Sequence, residues 1–396
     1  MKKILISSFD MEVGGVERSL ISMLENFDYE NYNVDLMLYS HTGDFMDLLP
    51  NKHNLLNEVS EYASFRTGII NLIKEGKLNL AIKRLNAKID AKRIAKKNNL
   101  DDSGHIQMQL MWKYSLNYLP KIDKEYDVAI SYLWPHYFVA EKVNAKKKIA
   151  WIHTDYSTID IDIDMDLEMW NKFNYIVAVS EECKRAFLLK YPSLEHKIIV
   201  IENITSSEFI KQMSKEKIVE NINKNGYFNL LTIARLSHAK GLDNAVKALK
   251  EVHDRGLTDI RWYIVGYGGD QKIIENLIKD NNLEKDFILL GKKINPYPYI
   301  KVCDLYVQPS RYEGKAVTVT EAKILGKPVM ITSYATAKSQ VKHNVDGYIT
   351  ELSVDGIANG IEYLYMNMKT LDNYTNYCKN KDYSNKEELK KLYRLF

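Results

Sequence analysis

Three short stretches of this chain carry residue types that can grip a multiply charged anion and a polyhydroxylated ring. The first, Gly14-Gly15-Val16-Glu17-Arg18, lies between an apolar run and an amphipathic one. Paired glycines let the backbone approach a ligand closely. The N–H groups of a helix start, with roughly half a positive charge from the helix dipole, favour an anion there. The spacing is not G-x-G-x-x-G, so no dinucleotide fold is specifically indicated, and a tight turn alone is the plainer alternative. The second stretch, Ala234-Arg235-Leu236-Ser237-His238-Ala239-Lys240-Gly241, holds two cations five residues apart across a turn. Arg235 and Lys240 could converge on a diphosphate and stabilise the charge it gains on leaving; by themselves they could equally be two solvated side chains. The third runs from Glu313 through Gly314, Lys315, Ala316 and Val317 to Glu321. A loop carboxylate at Glu313 can hold sugar hydroxyls. Glu321, two helical turns on, can take a pair of ribose hydroxyls, and Gly314 with the amides after it can face phosphate. The alternative is an exposed glutamate pair.

These stretches need elements that position them, and the apolar pattern supplies such elements. Buried strands are predicted at 4–9, 34–39, 128–133, 148–152, 175–179 and 198–201, with helical spacing between them (Val16, Leu20, Met23, Leu24 and Phe27, for example). The alternation pauses over a polar stretch, about 205–226, which reads as an interdomain linker. It restarts with strands at 230–234, 262–265, 287–290, 305–307 and 329–332. Strands alternating with helices imply parallel sheets covered on both faces. The expectation is an α/β chain of two doubly wound Rossmann-like domains, 1–204 and 205–380, with ligand in a cleft at the carboxyl ends of the strands.

The segment 66–97 departs from this pattern. Ten lysines and arginines stand there against Glu75 and Asp90, interleaved with isoleucines and leucines. A basic amphipathic helix suits an anionic membrane surface. A pair of solvated helices with one packed stripe fits the same pattern.

Taken together, the Gly14-Gly15 loop, Arg235 with Lys240, and the Glu-x7-Glu pair Glu313 and Glu321 resemble glycosyltransferase family 4, of the GT-B fold and retaining stereochemistry. The resemblance follows nearly the whole chain in order and spacing. It implies that Arg235 and Lys240 hold the donor diphosphate, that Glu313 contacts the donor sugar, and that Glu321 binds the ribose. It also implies a histidine at the end of an N-terminal strand near the transferring sugar, and Lys148-Ile149-Ala150-Trp151-Ile152-His153 places His153 there. The first domain then takes the acceptor and the second the donor, and the last helical stretch, 385–396, packs back on the first domain. Two loops differ from many members: Glu313-Gly314-Lys315-Ala316 in place of Glu-Gly-Phe-Gly, and Tyr334-Ala335-Thr336-Ala337-Lys338-Ser339 in place of a glycine-rich turn. The second resembles the variant of bacterial capsule and exopolysaccharide enzymes. Both flank the donor, so they bear on donor identity more than on reaction type.

Trp134, His136, Tyr137, Asp155 and Tyr156 fall near strand ends of the first domain and are candidates for the acceptor side, though each alone fits ordinary packing. The run Asp160, Asp162, Asp164, Asp166 invites comparison with Asp-x-Asp metal sites. In the GT-B scheme cations and helix ends hold the diphosphate instead, so it reads as an acidic acceptor-side loop. Neither a metal nor another cofactor is expected.

Composition narrows the remaining classes. A net charge of +3 over 396 residues lacks the basic excess of a nucleic-acid protein. Three scattered cysteines point to a reducing compartment. The N-terminal apolar run ends at Asp10, too short for a secretory leader. The expected protein is cytoplasmic, reaching the inner face of the plasma membrane if 66–97 touches lipid. Its expected reaction moves a sugar from a nucleotide diphosphate donor, a UDP-sugar first, to a saccharide acceptor, lipid-linked, in capsule, exopolysaccharide or other envelope glycan synthesis. Two alternatives share these residues: a nucleotide-sugar epimerase and a non-catalytic partner subunit of another transferase.

Overall fold

The computed structural model describes residues 1–100, 103–218, 220, 222 and 226–396. The described chain divides into two compact units, one of residues 1–204 with 386–396 and one of residues 205–385.

The first unit is built on a seven-stranded sheet: β1 (Lys2–Ser8), β2 (Tyr32–Leu38), β3 (Asn54–Leu55), β4 (Ile122–Ser131), β5 (Val143–Ile152), β6 (Tyr175–Ala178) and β7 (Ile198–Val200). The spatial order is β3-β2-β1-β4-β5-β6-β7 and every pairing is parallel. Ile4, Leu5 and Ile6 are all fully buried, as are Ile149 and Ala150. Consecutive burial means that helices cover both faces, which is why these strands read as unbroken apolar runs. The Glu388–Tyr393 helix belongs to this unit. Tyr393 stacks on Tyr32 at 5.0 Å and meets Phe27 edge-on at 5.4 Å, while its hydroxyl accepts the Asp28 amide at 2.9 Å.

The second unit carries six strands: β8 (Phe228–Ile233), β9 (Ile260–Val265), β10 (Phe287–Gly291), β11 (Leu305–Gln308), β12 (Val329–Thr332) and β13 (Tyr348–Thr350). Their order, β10-β9-β8-β11-β12-β13, is again all parallel. Alternation sorts its core into two layers. Leu230, Trp262, Ile264, Leu305, Val307 and Met330 join one cluster. Leu231, Tyr263, Val265, Tyr306, Val329 and Ile331 join the other. Neighbouring residues therefore lie on opposite faces, both covered.

The strands predicted from the apolar runs are all present, nine of them within two residues at each end, while β4 and β5 begin six and five residues before their apolar runs, in polar sequence. Two more exist. β3 is two residues long and β13 three, both at sheet edges, too short to leave a periodic signature. The polar stretch read as a linker includes a helix, Ser207–Met213, capped by the Ser206 hydroxyl; residues 219, 221 and 223–225 of that stretch lie outside the described ones.

Candidate functional site

In the second unit the charged stretches follow β8 and β11, at the carboxyl ends of adjacent strands. After β8 the chain makes a short 3-10 turn, His238–Lys240, and enters the Leu242–Asp254 helix through Gly241 at φ +64°. A Cβ on Gly241 would overlap the Pro309 carbonyl oxygen, so the glycine permits both the left-handed turn and the close approach of the next loop. Arg311 fastens the two loops. Its guanidinium donates to both Asp243 carboxylate oxygens at 2.7 Å and to the His238 carbonyl at 2.8 Å, and its amide donates to the Ala239 carbonyl. The bidentate pair lowers the Asp243 pKa, through its bonds to Arg311.

That scaffold sets Lys240 against Glu313. The ammonium donates to both carboxylate oxygens, at 2.8 and 2.7 Å, and the Glu313 side chain is only 8% exposed. Ser310 Oγ adds a bond at 2.6 Å and Gln308 Nε2 one at 3.2 Å to the same oxygen. Thr336 Oγ1 donates to the Glu313 carbonyl at 3.0 Å. Glu313 is thus fixed in direction before any ligand arrives. Arg235 is different: it is exposed, and among the described residues no hydrogen bond or ion pair engages its guanidinium. Glu321 lies on the second turn of the Val317–Ile324 helix, 1% exposed, and accepts the Tyr297 hydroxyl at 2.9 Å.

The amides expected to face phosphate are not all available. The Ala316 N–H donates to Gln340 Oε1 at 2.9 Å, and Gln340 Nε2 in turn reaches Thr336 Oγ1 at 3.1 Å. The amides left open at this helix start are those of Val317 and Thr318, whose N–H groups lack intrahelical carbonyls. Gly314 and Lys315 lie half-buried on the loop before it. Sequence reading missed Arg311, Ser310, Gln308 and Gln340, and named Thr336 only as part of the 334–339 loop. Gln308, Ser310 and Arg311 sit within five residues of Glu313, which was the available signal.

In the first unit Gly14 precedes the Gly15–Glu25 helix in extended conformation, and a Cβ on Gly15 would meet open space. A Cβ on Gly14 would instead overlap the Glu17 carboxylate, which already lies over this helix start. His153 follows β5, its ring 4.7 Å from that of Tyr132. Tyr132 also hydrogen-bonds Ser19 of the Gly15–Glu25 helix, at 2.8 Å, which brings that helix and His153 to one region of the unit. Burial pushes the His153 pKa down to about 3, so the imidazole is neutral at physiological pH, and its Nε2 is sealed from water with no partner among the described residues.

The acceptor-side candidates need correction. His136 and Tyr137 are 0% and 4% exposed and Tyr156 is 2% exposed; none lines an open surface. His136 is wedged against Trp170 and Phe173, with Nδ1 2.8 Å from Ser131 Oγ, and burial pushes it too down to about 3. Asp155 caps the turn Tyr156–Thr158 by accepting the Ser157 amide and hydroxyl at 2.9 and 2.6 Å. Trp134 donates its indole N–H to Asp166 at 3.1 Å. The acidic run is a loop only in its first half: Asp160 precedes and Asp162 caps the Ile163–Trp170 helix, which contains Asp164 and Asp166. Helical geometry turns residues two apart away from one another, and no cluster of metal-ligating residues occurs among the described ones. Asp166 is instead a fully buried acceptor of Trp134, Trp170, Tyr191 and Gln109.

Residues 214–381, nearly all of the second unit, match the family model for glycosyl transferases group 1. The UDP-Gal:alpha-D-GlcNAc-diphosphoundecaprenol alpha-1,3-galactosyltransferase of Escherichia coli is 28% identical over 191 residues, 47% of this chain and 49% of that protein. The matches to the leading curated relatives span only about a third to a half of those proteins' length. Over the full chain the likeness is one of fold. A mutant of S. aureus TarM, in complex with Fondaparinux, alpha-GlcNAc-glycerol and UDP, superposes with a TM-score of 0.68 at 16% identity, covering 100% of this chain and 99% of that one. Anabaena Alr3699/HepE in complex with UDP-glucose gives 0.66 at 17% identity, covering 100% of both.

Proposed function

From a chain of GT-B fold whose residues 214–381 form a glycosyl transferases group 1 domain, we propose a retaining transferase that moves a sugar from a UDP-sugar to a saccharide acceptor. The observation that carries this reading is the prearranged set Arg235, Lys240 and Glu313. Arg235 has no partner among the described residues, and Lys240 is clamped on a carboxylate held by Ser310 and Gln308.

The proposed chemistry breaks the bond from the anomeric carbon to the diphosphate oxygen and forms one to the acceptor hydroxyl on the same face. The departing phosphate oxygen takes the acceptor proton. Negative charge grows on the diphosphate as the bond breaks, and the planar Arg235 guanidinium can meet that charge with paired N–H donors. Lys240 bridges phosphate and Glu313, and Glu313 accepts from sugar hydroxyls. Glu321 is assigned to the ribose. His153, neutral and with Nε2 unpartnered, is assigned to a sugar hydroxyl, as donor or acceptor. No divalent metal takes part in this scheme.

The UDP-bound structural neighbours support the donor choice. A lipid-linked saccharide of a bacterial envelope glycan is the proposed acceptor, supported by the diphosphoundecaprenol substrate named for the E. coli relative and by the poly(ribitol-phosphate) named for a S. aureus one. The first unit is proposed to bind it. Incubation with UDP-, GDP-, ADP- and dTDP-sugars in EDTA, with nucleotide release measured against Arg235→Ala, tests the reading. Release from UDP-sugars that the variant loses supports it. Release that requires metal, or that survives Arg235→Ala unchanged, overturns the mechanism. A donor converted to its epimer without release identifies an epimerase.

A further inference from the structure

The Leu78–Asn98 helix has 21 residues and so runs about 32 Å. It carries two apolar stripes, not one. The inner stripe, Leu80, Ala87, Ala91 and Ala95, is buried, and the helix packs against Gly104–Ser115. Arg84 belongs to this inner side: its guanidinium is tied to the Ser64 and Thr67 carbonyls and is no free cation. The outer stripe is Leu78, Ile82, Leu85 and Ile89, exposed at 56, 55, 48 and 41%. At 100° per residue these four fall within an arc of about 60°. The neighbouring Ile69–Lys74 helix adds Ile70 and Ile73, exposed at 71 and 51%.

The charges beside the outer stripe are nearly all positive. Lys92 and Lys96 continue its line, Lys88 and Lys97 flank it, and all four are exposed and without a partner among the described residues. The helix's one acid, Asp90, is occupied by Arg93 at 3.1 Å and by the Tyr114 hydroxyl at 3.0 Å. A row of exposed branched aliphatics needs cover. A second copy of the same face would set these lysines against each other, whereas an anionic bilayer accepts both the aliphatics and the cations.

We propose that the outer face of the Leu78–Asn98 helix docks on an anionic lipid bilayer surface, with Leu78, Ile82, Leu85 and Ile89 entering the headgroup boundary and Lys88, Lys92 and Lys96 facing lipid phosphate. The test is flotation of the full chain with vesicles of phosphatidylcholine alone or mixed with phosphatidylglycerol, a readout separate from the transfer reaction proposed above. The parent chain floats with the mixed vesicles and is released by salt. Neutralising Lys88, Lys92 and Lys96 to Gln lowers partitioning about five-fold per residue, of order 100-fold together. Ile82→Ser with Leu85→Ser and Ile89→Ser lowers it by at least as much. These positions are exposed, so the thermal transition stays in place and loss of binding is not loss of fold. No flotation of the parent, or flotation undiminished in both variants, overturns the proposal. So does a concentration-dependent dimer that the serine variant abolishes, which would make this face a contact between copies.

Discussion

Arg235 and Lys240 lie five residues apart and carry the same charge, yet the structure predicts different consequences for their loss. Arg235→Ala removes an exposed guanidinium that has no hydrogen bond or ion pair among the described residues. Its effect on stability should stay within about 0.5 kcal/mol. If it binds the diphosphate, one or two charge-assisted hydrogen bonds disappear, costing about 1.5–3 kcal/mol of affinity, or roughly 10- to 150-fold in the Kd for UDP. Lys240→Ala strips Glu313 of two bonds and leaves a carboxylate 8% exposed with only Ser310 and Gln308 as donors. Breaking a fully buried pair costs about 3–5 kcal/mol. Lys240 is a quarter exposed, so water offsets part of this and about 1–2 kcal/mol remains. That corresponds to a Tm lower by roughly 2–8 °C for a unit of this size, with weaker UDP binding in addition. Calorimetric titration with UDP and thermal denaturation of the three proteins separate the two roles. UDP affinity within two-fold of the parent in Arg235→Ala would refute the diphosphate assignment. A Tm unchanged in Lys240→Ala would refute the claim that Lys240 stabilises the buried Glu313 carboxylate.

Other perturbations read other parts of the molecule. Asp166→Ala orphans at least the Trp170 indole and the Tyr191 hydroxyl, bonded at 2.7 and 2.8 Å, and should cost about 2–6 kcal/mol in urea denaturation; Asp166→Asn, which keeps one acceptor oxygen, should cost less. His136 and His153 are both held near pKa 3 by burial. The unfolded chain therefore binds protons that the folded one refuses. Stability is complete above about pH 6.5 and is lost as pH falls, by up to about 1.4 kcal/mol per pH unit for each histidine. Urea midpoints taken between about pH 7 and 5 should show this slope, and His136→Gln with His153→Gln should flatten it; an equal slope in the double variant would refute the assignment. Gly241→Ala forces a left-handed residue against the Pro309 carbonyl. It should lower stability by at least about 2 kcal/mol, read by thermal melting, with donor binding weakened because both cation-bearing loops shift.

The fold was legible in the sequence wherever a strand is buried on both faces, because such strands need no alternation: Ile4–Ile6, Leu230–Leu231 and Val329–Ile331 are apolar without a break. Edge strands of two or three residues offer no such run. The charged residues of the site were legible because they sit on loops directly after strands. Their supports were not, since Arg311 finds Asp243 across 68 residues of chain and Gln340 finds Ala316 across 24, and no local pattern encodes pairings at that distance. The acidic run misled in the opposite way. The run was read as an acidic acceptor-side loop, but the helix that takes its second half rotates Asp164 and Asp166 apart and carries Asp166 inward, where two tryptophans, a tyrosine and a glutamine satisfy it. The aromatics near it misled for the same reason: a position close to a strand end says little about whether a ring faces ligand or core. Segment 66–97 forms helices with one packed stripe, as the plainer reading had it, and leaves a second apolar stripe exposed.

The return of residues 386–396 to the first unit has a consequence for biosynthesis. Tyr32 and Phe27 emerge early, but their partner Tyr393 is made only after the whole of the second unit, residues 205–385, has been translated. At about 5–20 residues per second those 181 residues take roughly 9–36 s. Throughout that interval the nascent first unit presents an uncovered aromatic patch, long after its sheet has been synthesised. Its final closure waits on residues 386–396, which follow the whole of the second unit in synthesis.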